Sequence, residues 1–471
     1  MKKNNKKLIF NIFSAITVFL FVILLVITCV LFFVIPKKDY SVVEKRKLTS
    51  FPEFSYESLF EGTYTDNITK YVSDNFVLRD NLVELSSDLE EKRGIHVDGV
   101  KLYNSNSDIT NTSPQYIDTP LKRVKQIKLG EQTLLLGDET KATIDFMKGL
   151  QNIDIYEGLS EDEIIGQKAG PLFLVGKTAL EIFYGNSKIA EDYVNILNTY
   201  RLAIDSDVNV YNMIVPTHFE FGLPEKYKSE IGKSQKPFID EIYENLDSSI
   251  IKVDAYSKLK RAYERNEYVY FRSDHHWTAL GAYRAYEAFA KSAGCEATPL
   301  TDVENKKIDE FLGTFYSSTH DSSLKESPDF VSYYVPKNNY KVTNYKEDGK
   351  NTTSGTLLYN KLSDISHGYL VFMGGDIPLS VIETDAGTGR SILIFKESYG
   401  NAFVPFLVGN FDIIYVADIR KFPFNAINFV AENNISDVLF LNNITTSCTP
   451  PRIKNYLDLM QKSNEEENLS E

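Results

Sequence analysis

The chain of 471 residues is 43% hydrophobic and 25% charged, long enough for two or three domains and too apolar for a disordered protein. Its 51 basic and 65 acidic residues leave a formal charge of −14, which argues against a nucleic-acid binder, since phosphate contacts need a basic face. The 29 tyrosines and 30 phenylalanines suit sugar stacking, but residues of this kind mostly fill cores.

The N-terminus opens with MKKNNKK, after which Leu8–Ile35 is almost wholly apolar. As a helix this run measures about 42 Å, against the roughly 30 Å of a bilayer core. It is too long for the apolar region of a signal peptide and lacks a small-residue cleavage site. Residues 1–37 are therefore expected to be cytoplasmic lysines and one uncleaved transmembrane helix, with the N-terminus inside and the rest of the chain outside the cell. Cys29 lies in that helix and has no lipoprotein-type signal before it. Cys295 and Cys448 are open to two readings, one disulfide or two buried thiols. Three cysteines do not make a Cys-rich zinc site.

Residues 38–103 read as a linker followed, over 63–93, by one or two amphipathic helices, with Ile68, Tyr71, Val72, Phe76, Leu82, Leu85 and Leu89 at helical spacing. QTLLLGD and PLFLVG look like strands. From about 190 helices and strands alternate. EDYVNILNTYRLAI, SQKPFIDEIYENL, AYSKLKRAYERN and TALGAYRAYEAFAKSAG are helical, the last closed by Gly294. VNVYNMIVP, SIIKVD, YVYF, SILIFK, FDIIYVAD and DVLFLNN are strands. This alternation predicts an α/β fold with a mostly parallel sheet and helices on both faces, and a site at the carboxyl ends of the strands. The polar, Tyr-rich stretch 296–390 interrupts the alternation as an insertion within a domain covering 104–471, and SNEEENLSE reads as a disordered tail.

Two segments carry chemistry. In KESYGNAF, Ser398 follows a strand and precedes a helix-like stretch. A serine at such an elbow can attack an ester carbonyl while backbone N–H groups around Ser398 and Tyr399 hold the oxyanion. The plain alternative is a helix cap. In FRSDHHW, Asp274 and His276 share one side of an extended segment, so the carboxylate could orient the imidazole that takes the serine proton. Two alternatives stand beside this: a metal site, for which His96, His218, His320 and His367 show no ligand-like cluster, and a structural turn with Trp277 in the core. His218 and Glu220, in PTHFEFGLPEKY, follow another strand end and could line the same cleft or simply be solvated. Gly374 and Gly375 mark a tight turn before Asp376.

The segments DNFVLRD (74–80), PTHFEFGLPEKY (216–227), SDHHWTALGAY (273–283), GGDIPL (374–379), KESYGNAFVPFL (396–407) and DVLFLNN (437–443) span most of the chain beyond the apolar helix. In them the chain resembles the DHHW family of extracellular proteins from Gram-positive bacteria, which is similar to the alginate O-acetyltransferases and other SGNH-like sugar acetyltransferases. The resemblance implies a circularly permuted SGNH-hydrolase-like fold with Ser398 as nucleophile, His276 as base and Asp274 as its orienting partner. The alginate enzymes carry Asp-x-His-Trp, which leaves His275 at the variable position. Tyr399, Asn401, His275, Trp277 and His218 are the oxyanion or substrate-lining candidates, and no metal or cofactor is expected. The implied activity is acetyl transfer to a cell-wall or secreted polysaccharide. A membrane-bound O-acyltransferase would be the partner supplying acetyl groups, since acetyl-CoA is absent outside the cell. An acetyl esterase with the same residues, or a non-catalytic envelope-binding protein, are the rival expectations.

Overall fold

The structure, a computed structural model, describes residues 2–37, 40–41, 46–60, 62–79, 81–82, 85, 100–103, 171–359 and 365–462. Two compact units are present: Met1–Ile95 with Ser317–Ser322, and His96–Tyr316 with Ser323–Glu471. The QTLLLGD segment, residues 86–93 of the expected helical stretch and the SNEEENLSE tail lie outside the described residues.

The first unit begins with a helix over Lys2–Val34. Its segment Ile16–Val34, 19 residues, is long and apolar enough to cross a membrane. A short antiparallel pair follows, β1 (Tyr40–Ser41) and β2 (Arg46–Lys47), then helices Tyr56–Phe60 and Thr63–Asp74.

The second unit is mixed α/β around an eight-stranded sheet. Its strands are β6 (Asn209–Val215), β7 (Ile250–Lys252), β10 (Tyr340–Tyr345), β11 (Thr352–Ser354), β12 (Leu379–Thr384), β13 (Ser391–Lys396), β14 (Ile413–Asp418) and β15 (Asp437–Asn443). They run in the order β11-β10-β12-β14-β13-β15-β6-β7. The five strands from β14 to β7 are parallel, and β12, β10 and β11 continue the sheet antiparallel. A strand buried on both faces must be apolar throughout, and SILIFK shows why. Leu393 and Phe395 of β13 pack in one layer with the helices Ser187–Ala203, Lys236–Asn245 and Pro450–Gln461. Ile392 and Ile394 pack in the other with Ala255–Glu264 and Ala279–Ala293. Helices thus cover both faces, as the alternation predicts.

Two expectations change. YVYF is not a sheet strand: Tyr270 makes one isolated bridge, to Trp277 across the Asp-His-His turn. The stretch 296–390 supplies β10, β11 and β12 to the central sheet, beside an antiparallel pair, β8 (Glu304–Phe311) with β9 (Asp329–Val335). PLFLVG does form a strand, β4 (Leu172–Val175), but in a separate antiparallel sheet between β3 (Val100–Tyr103) and β5 (Thr178–Glu181). Of the two readings for the cysteines, the structure has free thiols at Cys295 and Cys448.

Candidate active site

Parallel packing brings the carboxyl ends of β6, β13, β14 and β15 to one edge of the sheet. Ser398 stands just beyond β13, before a helix of a single turn, Tyr399–Phe403. So short a helix has little dipole to offer. The capping alternative fails on geometry, because the Ser398 side chain makes no cap hydrogen bond. Its hydroxyl lies 2.7 Å from His276 Nε2 instead.

The Asp-His-His turn is held from two sides. Asp329, fully buried, accepts from Ser273 N at 2.8 Å, Ser273 Oγ at 2.6 Å and Arg272 N at 3.1 Å. Below the turn, the Thr278 hydroxyl caps the helix Ala279–Ala293 by accepting from Gly281 N at 3.2 Å. Within the turn, Asp274 Oδ1 accepts from the His276 backbone N–H at 3.0 Å and pairs with His276 Nδ1 at 2.6 Å. Asp274 Oδ2 accepts from Thr314 N at 2.8 Å and Thr314 Oγ1 at 3.1 Å. With Nδ1–H directed at the carboxylate, Nε2 is left to accept from Ser398. A carboxylate, an imidazole and a hydroxyl so connected can move a proton off the hydroxyl as it attacks an electrophile.

Glu397 is buried beside Ser398. Its carboxylate accepts from Tyr399 N at 2.9 Å and Asn443 N at 3.0 Å, and Oε2 lies 3.3 Å from Ser398 Oγ. Burial pushes its pKa up. The Tyr399 N–H, expected from the sequence as an oxyanion donor, is thus hydrogen-bonded to the Glu397 carboxylate. The Ser398 N–H, for which no partner is found among the described residues, remains the backbone donor beside the hydroxyl.

The other sequence candidates take different places. Trp277 is fully buried, with Nε1 donating to Tyr399 O at 2.9 Å, so it belongs to the core rather than a cleft wall. Tyr399 is equally buried, with its hydroxyl on the His275 carbonyl. The His275 ring lies tilted against His276, 3.7 Å between centroids, and pairs through Nδ1 with Thr314 Oγ1 at 2.7 Å; burial lowers its pKa. Asn401 donates from Nδ2 to Asp376 Oδ1 at 2.9 Å. His218 does not touch Ser398: its Nδ1 meets the Phe271 carbonyl at 3.0 Å and its ring stacks on Tyr270. Glu220 accepts from Tyr256 and Ser234, away from Ser398.

Sequence reasoning missed Thr314 and Tyr369. The Tyr369 ring lies parallel to His276 at 3.8 Å, and its hydroxyl donates to the Ser398 carbonyl at 3.0 Å. Asp376, placed by the left-handed Gly374 and Gly375 (φ 72° and 114°), joins a buried ionic group at the ends of β13 and β14. Lys396 Nζ lies 3.2 Å from Asp376 and 3.6 Å from Asp418, and Arg420 bridges both carboxylates. Burial opposes the charge on Asp376, but Lys396 and Arg420 outweigh it and hold its pKa well below the usual range.

Asp274, His275 and His276 also present ligand atoms within 4.8 Å of one another. Those atoms already have partners, and a cation on His276 would displace Ser398 or Asp274.

Fold and site together define an α/β protein with a hydroxyl–imidazole–carboxylate chain at the carboxyl edge of its parallel strands. The DHHW protein profile matches residues 44–118 and 153–417, well over half of the chain, and the chain belongs to that family. A DHHW family protein from Eubacterium siraeum is similar in structure, at 34% identity and a TM-score of 0.57, over 61% of this chain and 94% of that one. Bacillus cereus PatB1 shares the fold at 19% identity, with a TM-score of 0.50, over 60% of this chain and 98% of that one. The O-acetyltransferase domain of Pseudomonas putida AlgJ matches at 12% identity and a TM-score of 0.36, over 60% and 95%. No curated protein sequence matches the chain.

Proposed function

We propose that this protein is a membrane-anchored extracellular O-acetyltransferase that moves acetyl groups onto a cell-wall or secreted polysaccharide. The observation that carries this reading is the 2.7 Å contact of Ser398 Oγ with His276 Nε2, backed by the 2.6 Å contact of His276 Nδ1 with Asp274. In the proposed reaction the Ser398 oxygen forms a bond to the carbonyl carbon of an acetyl donor as His276 Nε2 takes the hydroxyl proton. The tetrahedral oxyanion accepts from the Ser398 N–H. His276 returns the proton to the leaving group, which leaves an acetyl-serine. A sugar hydroxyl then attacks that ester, His276 takes its proton, and Ser398 regains one on release. Asp274 keeps the imidazole in the required tautomer throughout and stabilises it when charged.

The choice of acetyl and of polysaccharide rests on the family resemblance read from the sequence, as do two further elements. One is a circularly permuted SGNH-type topology, with Asp274 and His276 preceding Ser398 in the chain. The other is a membrane-bound O-acyltransferase as acetyl source. The helix Ile16–Val34 supports the anchor, and the lysines before it support a cytoplasmic N-terminus.

The test offers a chromogenic acetyl ester as donor together with oligosaccharide acceptors. Acetylated oligosaccharide, detected by mass, supports the transferase. Acetate release that no acceptor diverts makes the protein an esterase, and no turnover of the ester leaves it a binding protein.

A further inference from the structure

Apolar side chains are crowded onto the surface of the segment that follows the N-terminal helix. Phe51, Phe54, Tyr56 and Phe60 are 62%, 55%, 75% and 87% exposed, and the helix Tyr56–Phe60 buries no residue at all. Four aromatic rings in ten residues are a costly surface to leave in water.

Their position says what covers them. Phe32 lies in the last turn of the segment that is able to span a membrane. Its ring meets Tyr71 edge to face at 6.2 Å, and Tyr71 meets Phe51 at 5.2 Å. Lys37 sits 3.4 Å above the Phe32 ring and donates to the Asn75 carbonyl at 3.4 Å, which ties the end of the spanning helix to the end of the helix Thr63–Asp74. Asp74 accepts from Thr49 N at 2.9 Å and Thr49 Oγ1 at 2.7 Å, and Phe54 packs on Tyr64 at 5.2 Å. The aromatic segment is thereby fixed at the level where the apolar helix ends.

We propose that Phe51, Phe54, Tyr56 and Phe60 are seated in the lipid interface of the bilayer that the N-terminal helix crosses, on the side where that helix ends. The proposal rests on the membrane-anchor reading above and adds to it a second, in-plane contact. Aromatic rings favour this depth, where one side meets acyl chains and the other meets water. The four rings are uncharged, so neutral lipid tests the seat itself, apart from any attraction of Lys37, Lys38, Lys45, Arg46 and Lys47 to anionic headgroups. The consequence is that residues 51–60 lie against the bilayer rather than forming a loose linker.

The experiment reconstitutes the full chain in phosphatidylcholine vesicles, with and without bromine on the upper acyl carbons, which quenches tryptophan by contact. Phe54→Trp and Phe60→Trp report on the ridge, Phe21→Trp on the span and Thr65→Trp on the polar side of the neighbouring helix. The signal of the native Trp277, buried in the second unit, is subtracted with the unsubstituted chain. The expected result is blue-shifted emission and its loss in brominated vesicles at positions 54 and 60, with neither at 65. Positions 54 and 60 behaving like 65 while position 21 is quenched would overturn the inference and leave the anchor standing. Position 21 unquenched would remove the anchor reading, and this inference with it.

Discussion

Asp274 and His276 are two apart because one carboxylate oxygen serves both ends of the same residue, the His276 backbone N–H and its ring Nδ1. That relation is local, so it was legible in DHHW, as was a serine just past a strand of apolar residues. What orients the pair is not local. Thr314 and Tyr369 come from a stretch whose polar, Tyr-rich sequence carries no period, and nothing in it announces a hydrogen bond to Asp274 or a ring against His276. Gly313 belongs with them: a Cβ there would stand 2.2 Å from the Asp274 Cβ and 2.6 Å from its Oδ2. Gly313→Ala should displace the carboxylate and lower ester turnover by about 100-fold, on the scale of a 1 Å misplacement. Turnover equal to wild type would contradict that role. For Tyr369 two variants separate two contacts. Tyr369→Leu removes the stack and should cost about tenfold in kcat, as an aromatic contact of about 1.4 kcal/mol implies. Tyr369→Phe keeps the stack and should stay within a few-fold of wild type, and equal losses in both would assign the effect to the hydroxyl.

Among the elements, strands with two buried faces announced themselves, since VNVYNMIV, SILIFK and DVLFLNN are apolar runs bounded by turns. YVYF has the same composition for another reason: its rings fill a core between helices, and composition does not distinguish that from a strand. The edge strand β11 and its neighbour β10 escaped notice because their side chains are largely polar, as in TTS and YKVTNY. The helix His218–Gly222 carries a prediction of its own. His218 is buried, and burial lowers its pKa from 6.5 to about 4. The unfolded chain therefore takes up the proton first as pH falls. The stability this histidine contributes is full above pH 6.5 and is lost as pH drops toward 4, by about 3 kcal/mol. Chemical unfolding at pH 7 and pH 4.5 should show a smaller pH effect in His218→Gln, whose amide can still reach the Phe271 carbonyl. An unchanged difference would mean that His218 is not the group responsible.

For the whole molecule, the sequence told an apolar helix from a globular α/β part because the two obey different solvents. Ile16–Val34 is apolar on every side, whereas the helices of the second unit are apolar on the side that meets the sheet. Where the first compact unit ends, and that Ser317–Ser322 groups with it, no composition shift revealed. The anchored reading expects the full chain to stay with membranes through an alkaline carbonate wash and a chain begun after residue 37 to be released. Release of the full chain would contradict it.

One measurement bears on the proposed chemistry before any other: hydrolysis of a chromogenic acetyl ester by the wild-type chain, Ser398→Ala, His276→Ala and the double variant. Residues acting as one unit lose their effect together. Each single variant should therefore fall by about 1,000-fold or more, and the double variant should fall little further. An inactive wild type, or single variants that keep its rate, would contradict Ser398 and His276 as nucleophile and base.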